Sequence, residues 1–174
     1  AHGQLLACTL GVQGGRFTRS AAATPSFAAG RPWSWDVASA SYNGAAIQDL
    51  RQVSIGFDNQ LTTAHTLSGG TAPNRILREG PQTVSVEGSF LMTDQVLFQD
   101  FLEQSEQRLR LTFQGETVAQ SYTAEMTLDL PRLRFSELAP QLRGPGVVEV
   151  AFKGRAVYDA SSGYALRVTL TNTQ

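Results

Sequence analysis

The chain has 174 residues, of which 41% are apolar and 17% are charged, as expected for one globular domain with a sizeable core. Fourteen basic and 15 acidic residues give a formal net charge of -1, which argues against a strongly cationic DNA-binding protein. No run approaches the roughly 20 apolar residues of a membrane-spanning helix. With one cysteine, Cys8, and two histidines, His2 and His65, a disulfide scaffold and a Cys/His metal site are both disfavoured.

Residues 1–42 are predicted to form an N-terminal strand followed by an extended arm. The strand would span Leu5 to Val12, with Cys8 as a small buried hydrophobe. From residue 14 to 42 the sequence is rich in Gly, Ala, Ser, Thr and Pro and has no steady periodicity. Trp33 and Trp35 lie two residues apart and would share one face of an extended segment. They would either pin the arm to another surface or cover the protein's own core.

Residues 43–174 show the alternation of apolar and polar residues that is typical of half-buried strands. This pattern predicts a mainly β domain with antiparallel pairing, because parallel strands are buried on both faces and have continuous apolar runs. A turn at Asp159–Gly163 would form the hairpin between the last two strands. The predicted strands are Gln52–Asn59, Thr83–Phe90, Arg108–Phe113, Ser121–Leu130 (ended by Pro131), Gly146–Tyr158 and Tyr164–Thr171.

One segment departs from the alternation and has helical spacing instead. Residues 94–107 place four apolar side chains on one face and acidic side chains on the other. Thr93 is the predicted N-cap, and Met92 could contact Leu97 as a hydrophobic staple. The sequence therefore predicts a single amphipathic helix, Asp94–Gln107, packed on the sheet.

Two stretches do not resemble tight turns. Gln60–Pro81 spans about 22 residues, well beyond the usual connection of about 4–6 residues. Pro131–Pro145 is a shorter segment that is rich in Arg and Pro. Long loops are usually functional or disordered. If these loops are ordered, a neighbouring subunit is a natural candidate to hold them.

No set of residues suitable for catalysis emerges from the sequence. There is no G-x-S-x-G elbow, and His65 lies alone in the long polar loop. The acidic residues of the strands occupy polar-face positions, as any solvated sheet face would. Neither Gly14-Gly15 nor Gly69-Gly70 precedes the Lys-Ser/Thr pair of a phosphate-binding loop. The sequence therefore predicts a non-enzymatic interaction protein with no cofactor and no metal site.

The polar sides of the predicted strands carry mainly Ser and Thr, with few basic residues. Such a surface does not grip a phosphate backbone, because tight DNA binding needs several Lys or Arg contacts. It could line a passage through which DNA slides. An ordinary solvent-facing sheet fits the composition equally well.

The order of these features resembles the tail tube proteins of long-tailed, siphophage-type bacteriophages. The resemblance runs from about Trp33 to Asn172 and lies in the sequence of elements rather than in one invariant motif. These elements are the strand Gln52–Asn59, the long loop with Gly69-Gly70, Ile76–Gly80 leading into Thr83–Phe90, the helix, the strand ending in Leu128–Pro131, the strand Val147–Tyr158 and the terminal Leu170–Asn172.

The resemblance implies an antiparallel β-sandwich or open barrel with one flanking helix. It implies a structural protein of the virion, the major tail tube subunit, which assembles in the host cytoplasm. The subunits would form stacked hexameric or pseudo-hexameric rings, and DNA would pass through their inner β-barrel without sequence specificity. Expected partners are other copies, the tape-measure, terminator and baseplate proteins, and no membrane. The arm and the loop at 60–81 would reach adjacent subunits, and the candidate contact residues are Trp33, Trp35, His65, Leu67 and Ile76.

A hypothesis for the channel is that a neutral-to-acidic lumen keeps DNA from sticking. The candidate lumen-facing carboxylates are Asp58, Glu87, Glu125, Asp129 and Glu149. Three alternatives remain open at this point. The chain could be a secretion-system tube protein, or another ring-forming tail protein such as a terminator or distal tail protein. It could also be a monomeric carbohydrate-binding β-sandwich that exposes Trp33, Trp35, Tyr42 and Tyr164.

Overall fold

The computed structural model describes residues 5–12, 33–67, 75–93, 95–119, 122–141 and 147–171. These residues form an eight-stranded antiparallel sheet, a separate two-stranded sheet and one helix, which confirms the prediction of a mainly β fold. The elements are a 3-10 turn at Trp35–Val37, β1 Ala38–Tyr42, β2 Ala45–Ile47, β3 Leu50–Asp58, β4 Leu61–Ala64, β5 Arg75–Arg78, β6 Thr83–Leu91, α1 Val96–Leu102, β7 Gln107–Ala119, β8 Tyr122–Gln141, β9 Glu149–Ala156 and β10 Arg167–Thr171.

The long strand β8 organises the sheet, whose order is β2-β1-β7-β8-β9-β6-β3 with β10 also paired to β8. One edge of β8 carries β7. Along the opposite edge, β10 pairs with residues 125–129 and β9 with residues 133–141. The turn at Asp159–Gly163 is present, closed by a bridge between Asp159 and Tyr164. However, the strands that it connects lie end to end along β8, so the predicted hairpin of paired strands is wrong.

β8 also continues through Pro131, which the alternation placed at a strand end. Pro131 lies where the partner on one edge of β8 changes from β10 to β9, and where the register with β7 shifts between Leu130 and Leu133. A proline is tolerated at such a bulge because no ladder hydrogen bond needs its missing N–H. The predicted loop at 131–145 is therefore wrong over residues 131–141; residues 142–146 lie outside the described part.

The core lies between the two halves of this sheet and consists of apolar side chains from β1, β3 and β6 to β9. Tyr42 of β1 stacks on Phe135 of β8 at 6.0 Å between ring centroids, and Phe135 meets Phe152 of β9 edge-on at 5.5 Å. Phe90 of β6 extends this aromatic row at 6.0 Å from Phe152. Two layers packed through one core give the β-sandwich that the sequence resemblance implies.

The helix is shorter than predicted and has a different start. It spans Val96–Leu102, and its N-cap residue Gln95 makes no side-chain capping bond. The Thr93 hydroxyl instead donates to the carboxylate of Asp49 at 2.5 Å, so the predicted N-cap is wrong. Residues near 107 belong to β7. Leu97 and Phe101 do pack against the core as the helical spacing indicated.

The N-terminal segment also departs from expectation. Residues 5–12 form no strand beyond a single bridge between Leu5 and Ser34, and Cys8 is exposed. The predicted burial of Cys8 is therefore wrong. Residues 38–42, predicted as the end of an irregular arm, form β1 and pair with β7. Residues 13–32 of the predicted arm lie outside the described part.

The predicted loop at 60–81 contains a two-stranded sheet. β4 and β5 pair antiparallel from Leu61 opposite Arg78 to Ala64 opposite Arg75, and residues 68–74 between them lie outside the described part. All four residues of β5 are exposed, and in β4 Leu61 is exposed while Thr62–Ala64 are half-buried. The segment is therefore a projecting β-ribbon, called the β4–β5 ribbon below.

Candidate assembly surfaces

A metal site in the described residues would need several ligating side chains close together. Among them, no cluster of three or more His, Cys, Asp or Glu residues could hold a metal ion. No helix in the described ranges is long and apolar enough to cross a membrane. His65 is exposed just beyond β4. The surfaces that remain of interest are one sheet face, the free strand edges, the β4–β5 ribbon and a groove.

The five candidate lumen carboxylates all lie on the polar face of the sheet, opposite the core residues of their strands. Bulges in β8 keep this face consistent, because Leu130, Leu133 and Phe135 stay on the core side despite their uneven spacing. Glu87 of β6 and Glu149 of β9 line one shallow depression of about 340 Å³. Asp58, at the end of β3, and Glu125, in the first half of β8, do not line this depression.

The acidic residues of the depression are partly balanced by bases. Lys153 lies opposite Glu87 in the register of β6 and β9, and its Nζ donates to Glu137 at 2.9 Å. This bond with Glu137 raises the pKa of Lys153. Arg51 contacts Glu149 at 3.4 Å. The depression is therefore mildly acidic.

Asp129 differs from the other four carboxylates because it is only 4% exposed. Arg108 donates to its two oxygens at 2.8 and 2.5 Å, and the Tyr164 hydroxyl donates at 2.6 Å. Arg110 adds an ion pair at 3.5 Å, and the Arg167 guanidinium stacks on the Tyr164 ring at 3.9 Å. These bonds, above all those from Arg108, lower the pKa of Asp129 from 3.8 to about 2.

The Asp129 carboxylate links neighbouring parts of the sheet and is not a solvent-exposed charge. It joins β8 to β7 and to the turn before β10, and its charge is neutralised by the surrounding arginines. Sequence reasoning placed Asp129 on the polar face but missed its partners. Arg110 and Arg167 lie beside it only through the registers of β7 and β10, which alternation alone does not specify.

The two tryptophans pack on the protein's own core. Trp33 and Trp35 are both half-buried against the core cluster, and the Trp33 indole nitrogen lies close against Gly115 of β7. Tyr42 is buried, beside the Asp100 carboxylate; burial first, and then Asp100, raise its pKa. An exposed aromatic platform of Trp33, Trp35 and Tyr42, as a carbohydrate-binding face would need, is therefore not present.

Apolar side chains are exposed at β10 and on the β4–β5 ribbon. Val168 and Leu170 of β10 are 51% and 63% exposed, although the alternation predicted an inward face for them. They continue the apolar side of β8, where their register partners are Leu128 and Met126. On and beside the ribbon, Leu61, Leu67, Ile76 and Leu77 are exposed.

A groove of about 990 Å³ opens where β3, β6, β8 and β9 meet the excursion at 157–166. Its lining combines exposed aromatic rings, such as those of Phe57 and Tyr158, with two arginines, Arg134 and Arg155. In the register of β8 and β9 these two arginines lie directly opposite each other.

Several solved structures share this fold, three of which are described below. The anti-feeding prophage cap, described as a tube terminating cap, matches with a TM-score of 0.56 and 8% identity over 87% of this chain and 100% of that one. A chain of the sheath–tube complex of an extracellular contractile injection system (PVC) in the extended state has a TM-score of 0.52 and 12% identity. The match covers 82% of this chain and 93% of that one. A chain of the virion of a native gene transfer agent particle has a TM-score of 0.50 and 14% identity. The match covers 80% of this chain and 98% of that one.

These structural likenesses, all at low identity, establish the fold alone. No curated protein matches the sequence. A sequence model of the phage tail tube protein family, in contrast, matches residues 1–156. The match spans the whole sheet except β10, including the β4–β5 ribbon and the helix. The chain therefore belongs to the phage tail tube protein family, whose members are structural components of phage tails.

Proposed function

We propose that this protein is the major tube subunit of a siphophage-type tail. The observation that carries the proposal is the free edge of β10. One edge of β10 pairs with β8, and within the described residues no strand pairs with the other edge. The apolar residues Val168 and Leu170 of β10 are also exposed. A free edge beside exposed apolar surface favours pairing with another chain. In a member of a tail tube family, the partner that fits is a second copy.

Rings of six subunits would close these free edges into a continuous barrel. The β4–β5 ribbon supports the same proposal, because an isolated two-stranded ribbon is at best marginally stable in water. Its exposed side chains gain a packing surface when they dock on a neighbour. Of the residues predicted as contacts, His65, Leu67 and Ile76 lie exposed on or beside this ribbon, while Trp33 and Trp35 would reach a neighbour only through their accessible parts.

The polar face of the sheet would line the channel. Asp58, Glu87, Glu125 and Glu149 are the carboxylates proposed to face the lumen, with Asp129 held beneath its arginines. The mildly acidic depression that contains Glu87 and Glu149 would repel the phosphate backbone, so DNA would pass without sequence-specific contact. The proposal places the protein in the virion tail after assembly in the host cytoplasm, between tape-measure, terminator and baseplate proteins.

Negative-stain electron microscopy of the purified protein over a range of concentrations tests the proposal. We expect rings at moderate concentration and hollow tubes at high concentration. A protein that stays monomeric at every concentration and salt, also in the presence of preformed tail tips, would contradict it.

The lumen assignment has its own test. Replacement of Glu87 and Glu149 by Lys reverses charge on the polar face without touching β10. We expect tubes of normal appearance that retain DNA fragments at low salt, whereas tubes of the parent protein do not. Unchanged DNA retention would place this face outside the channel.

A second candidate is a ring-forming tube cap or terminator. The observation that favours it is the likeness to the tube terminating cap of the anti-feeding prophage, which covers the full length of that chain. The same microscopy separates the two candidates, because a terminator forms single rings that do not stack. Rings that bind the end of a preformed tube would support this second candidate.

A further inference from the structure

The groove beside residues 157–166, which connect β9 to β10, contains two arginines without an acidic partner among the described residues. Arg134 and Arg155 face each other across β8 and β9, and like charges directly opposite are destabilising. Arg134 donates to the side-chain oxygen of Gln104 at 2.6 Å, which leaves its charge uncompensated. In the described part of the chain, no carboxylate contacts Arg155. The groove therefore favours an occupant that brings a carboxylate.

The aromatic lining narrows the chemistry of that occupant. Phe57 and Tyr158 are 52% and 60% exposed along the groove, and they offer apolar surface to a chain segment. A protein segment with a carboxylate between small or apolar residues satisfies both features.

The β7–β8 hairpin of the same chain has this character. Beyond Phe113, the last residue paired with β1, the β7–β8 hairpin keeps β10 as a neighbour only as far as Glu125. Further out, where Thr117 pairs with Thr123, no other described strand lies beside the hairpin. The sequence from 111 to 131 contains no Lys or Arg but three acids, Glu116, Glu125 and Asp129. Glu116 is exposed, next to Gly115, and among the described residues no side chain pairs with it.

This hairpin does not reach the groove of its own chain. Thr117 pairs with Thr123 near the tip, and Arg134 lies about ten residues further along β8, or roughly 35 Å at about 3.3 Å per residue. The pairing of β7 with β8 holds Glu116 at about that distance from Arg134. Any contact between the two must join different copies.

We propose that Glu116, on the outer part of β7, docks in the Arg134–Arg155 groove of a second copy. Different surfaces meet in such a contact, so it is heterologous, and a heterologous contact propagates into a closed ring or an open polymer. This proposal rests on the proposed function and adds to it which two surfaces of the subunit meet.

Charge reversal tests the contact. Glu116→Arg and Arg155→Glu should each raise the protein concentration needed for tube formation at least about tenfold, because each leaves like charges facing in the groove. Glu103→Arg, at another exposed glutamate, which lies at the end of the helix, is the matched control and should assemble as the parent does. Circular dichroism verifies that each variant is folded.

Mixing supplies the decisive outcome. In a mixture of the two reversed proteins, every hairpin finds a groove of opposite charge, so assembly should recover although each protein alone assembles poorly. Normal assembly by both single variants, or failure of the mixture, would overturn the contact.

A cross-link separates this inference from the proposed function. With Arg155→Lys, a zero-length carbodiimide should join Glu116 of one copy to the new amine of another, and Glu116→Gln should abolish the product identified by mass spectrometry. If the cross-link forms but no rings or tubes appear, the proposed contact is supported and the proposed tube function is contradicted. Tubes without the cross-link would retain the tube function and overturn the contact.

Discussion

The Asp129 carboxylate links three parts of the sheet through a few short contacts. Arg108 and Tyr164 donate to it directly, and Arg110 lies within 3.5 Å. Asp129→Asn removes the charge that these donors face and should lower the free energy of unfolding by about 2 kcal/mol. Denaturant unfolding of the dilute protein measures the loss. The control Glu87→Gln, at an exposed position, should change stability by less than about 0.5 kcal/mol.

The same residue makes stability depend on pH. Its pKa falls from 3.8 to about 2 on folding, so its contribution is complete above about pH 4 and is lost as the pH falls towards 2. Asparagine does not titrate. The stability difference between the parent protein and Asp129→Asn should therefore shrink between pH 4 and pH 2, as followed by unfolding curves at each pH. A constant difference would show that the carboxylate stabilises through shape and not through charge.

At the scale of elements, the contact of β6 with its two neighbours depends on a glycine. A Cβ at Gly88 would lie 2.2 Å from the Gln52 carbonyl oxygen and 2.8 Å from the Phe152 ring. Neither the backbone of β3 nor the core ring can move away cheaply. Gly88→Ala should lower stability by at least about 2 kcal/mol in thermal denaturation. Gly11→Ala, where nothing lies within 4 Å, should have little effect.

At the scale of the whole molecule, the exposed side of β10 separates stability from assembly. Leu170 is 63% exposed in the single chain, so Leu170→Glu should leave the free energy of unfolding within about 0.5 kcal/mol of the parent value. In the ring it would place a charge in an apolar interface, and tube formation should fail in sedimentation assays. Thr169→Glu, on the opposite side of the same strand, should still assemble. Equal assembly of both variants would exclude β10 from the interface.

Local sequence patterns predict many of the strands and the helix, but they do not predict which strands pair with each other. The alternation around Val84 and Val86, or Leu109 and Leu111, is strict and was sufficient to predict strands. In β8 the core residues Leu130, Leu133 and Phe135 are unevenly spaced because bulges intervene. The period-two alternation therefore breaks at Pro131, although the strand continues to Gln141. The β4–β5 ribbon was missed for a related reason: its short strands have no buried side to produce an alternation.

The candidate surfaces show the same division. The sequence by itself determined the mainly antiparallel β class, a helix packed on the sheet near residue 100 and the family resemblance, because these depend on residue order and local periodicity. Only the tertiary structure decided that Asp129 is buried among arginines, that Trp33 packs on its own core and that Leu170 is exposed. Each of these outcomes depends on which strands become neighbours and in which register, and side-chain periodicity is the same for every register that keeps the apolar face inward.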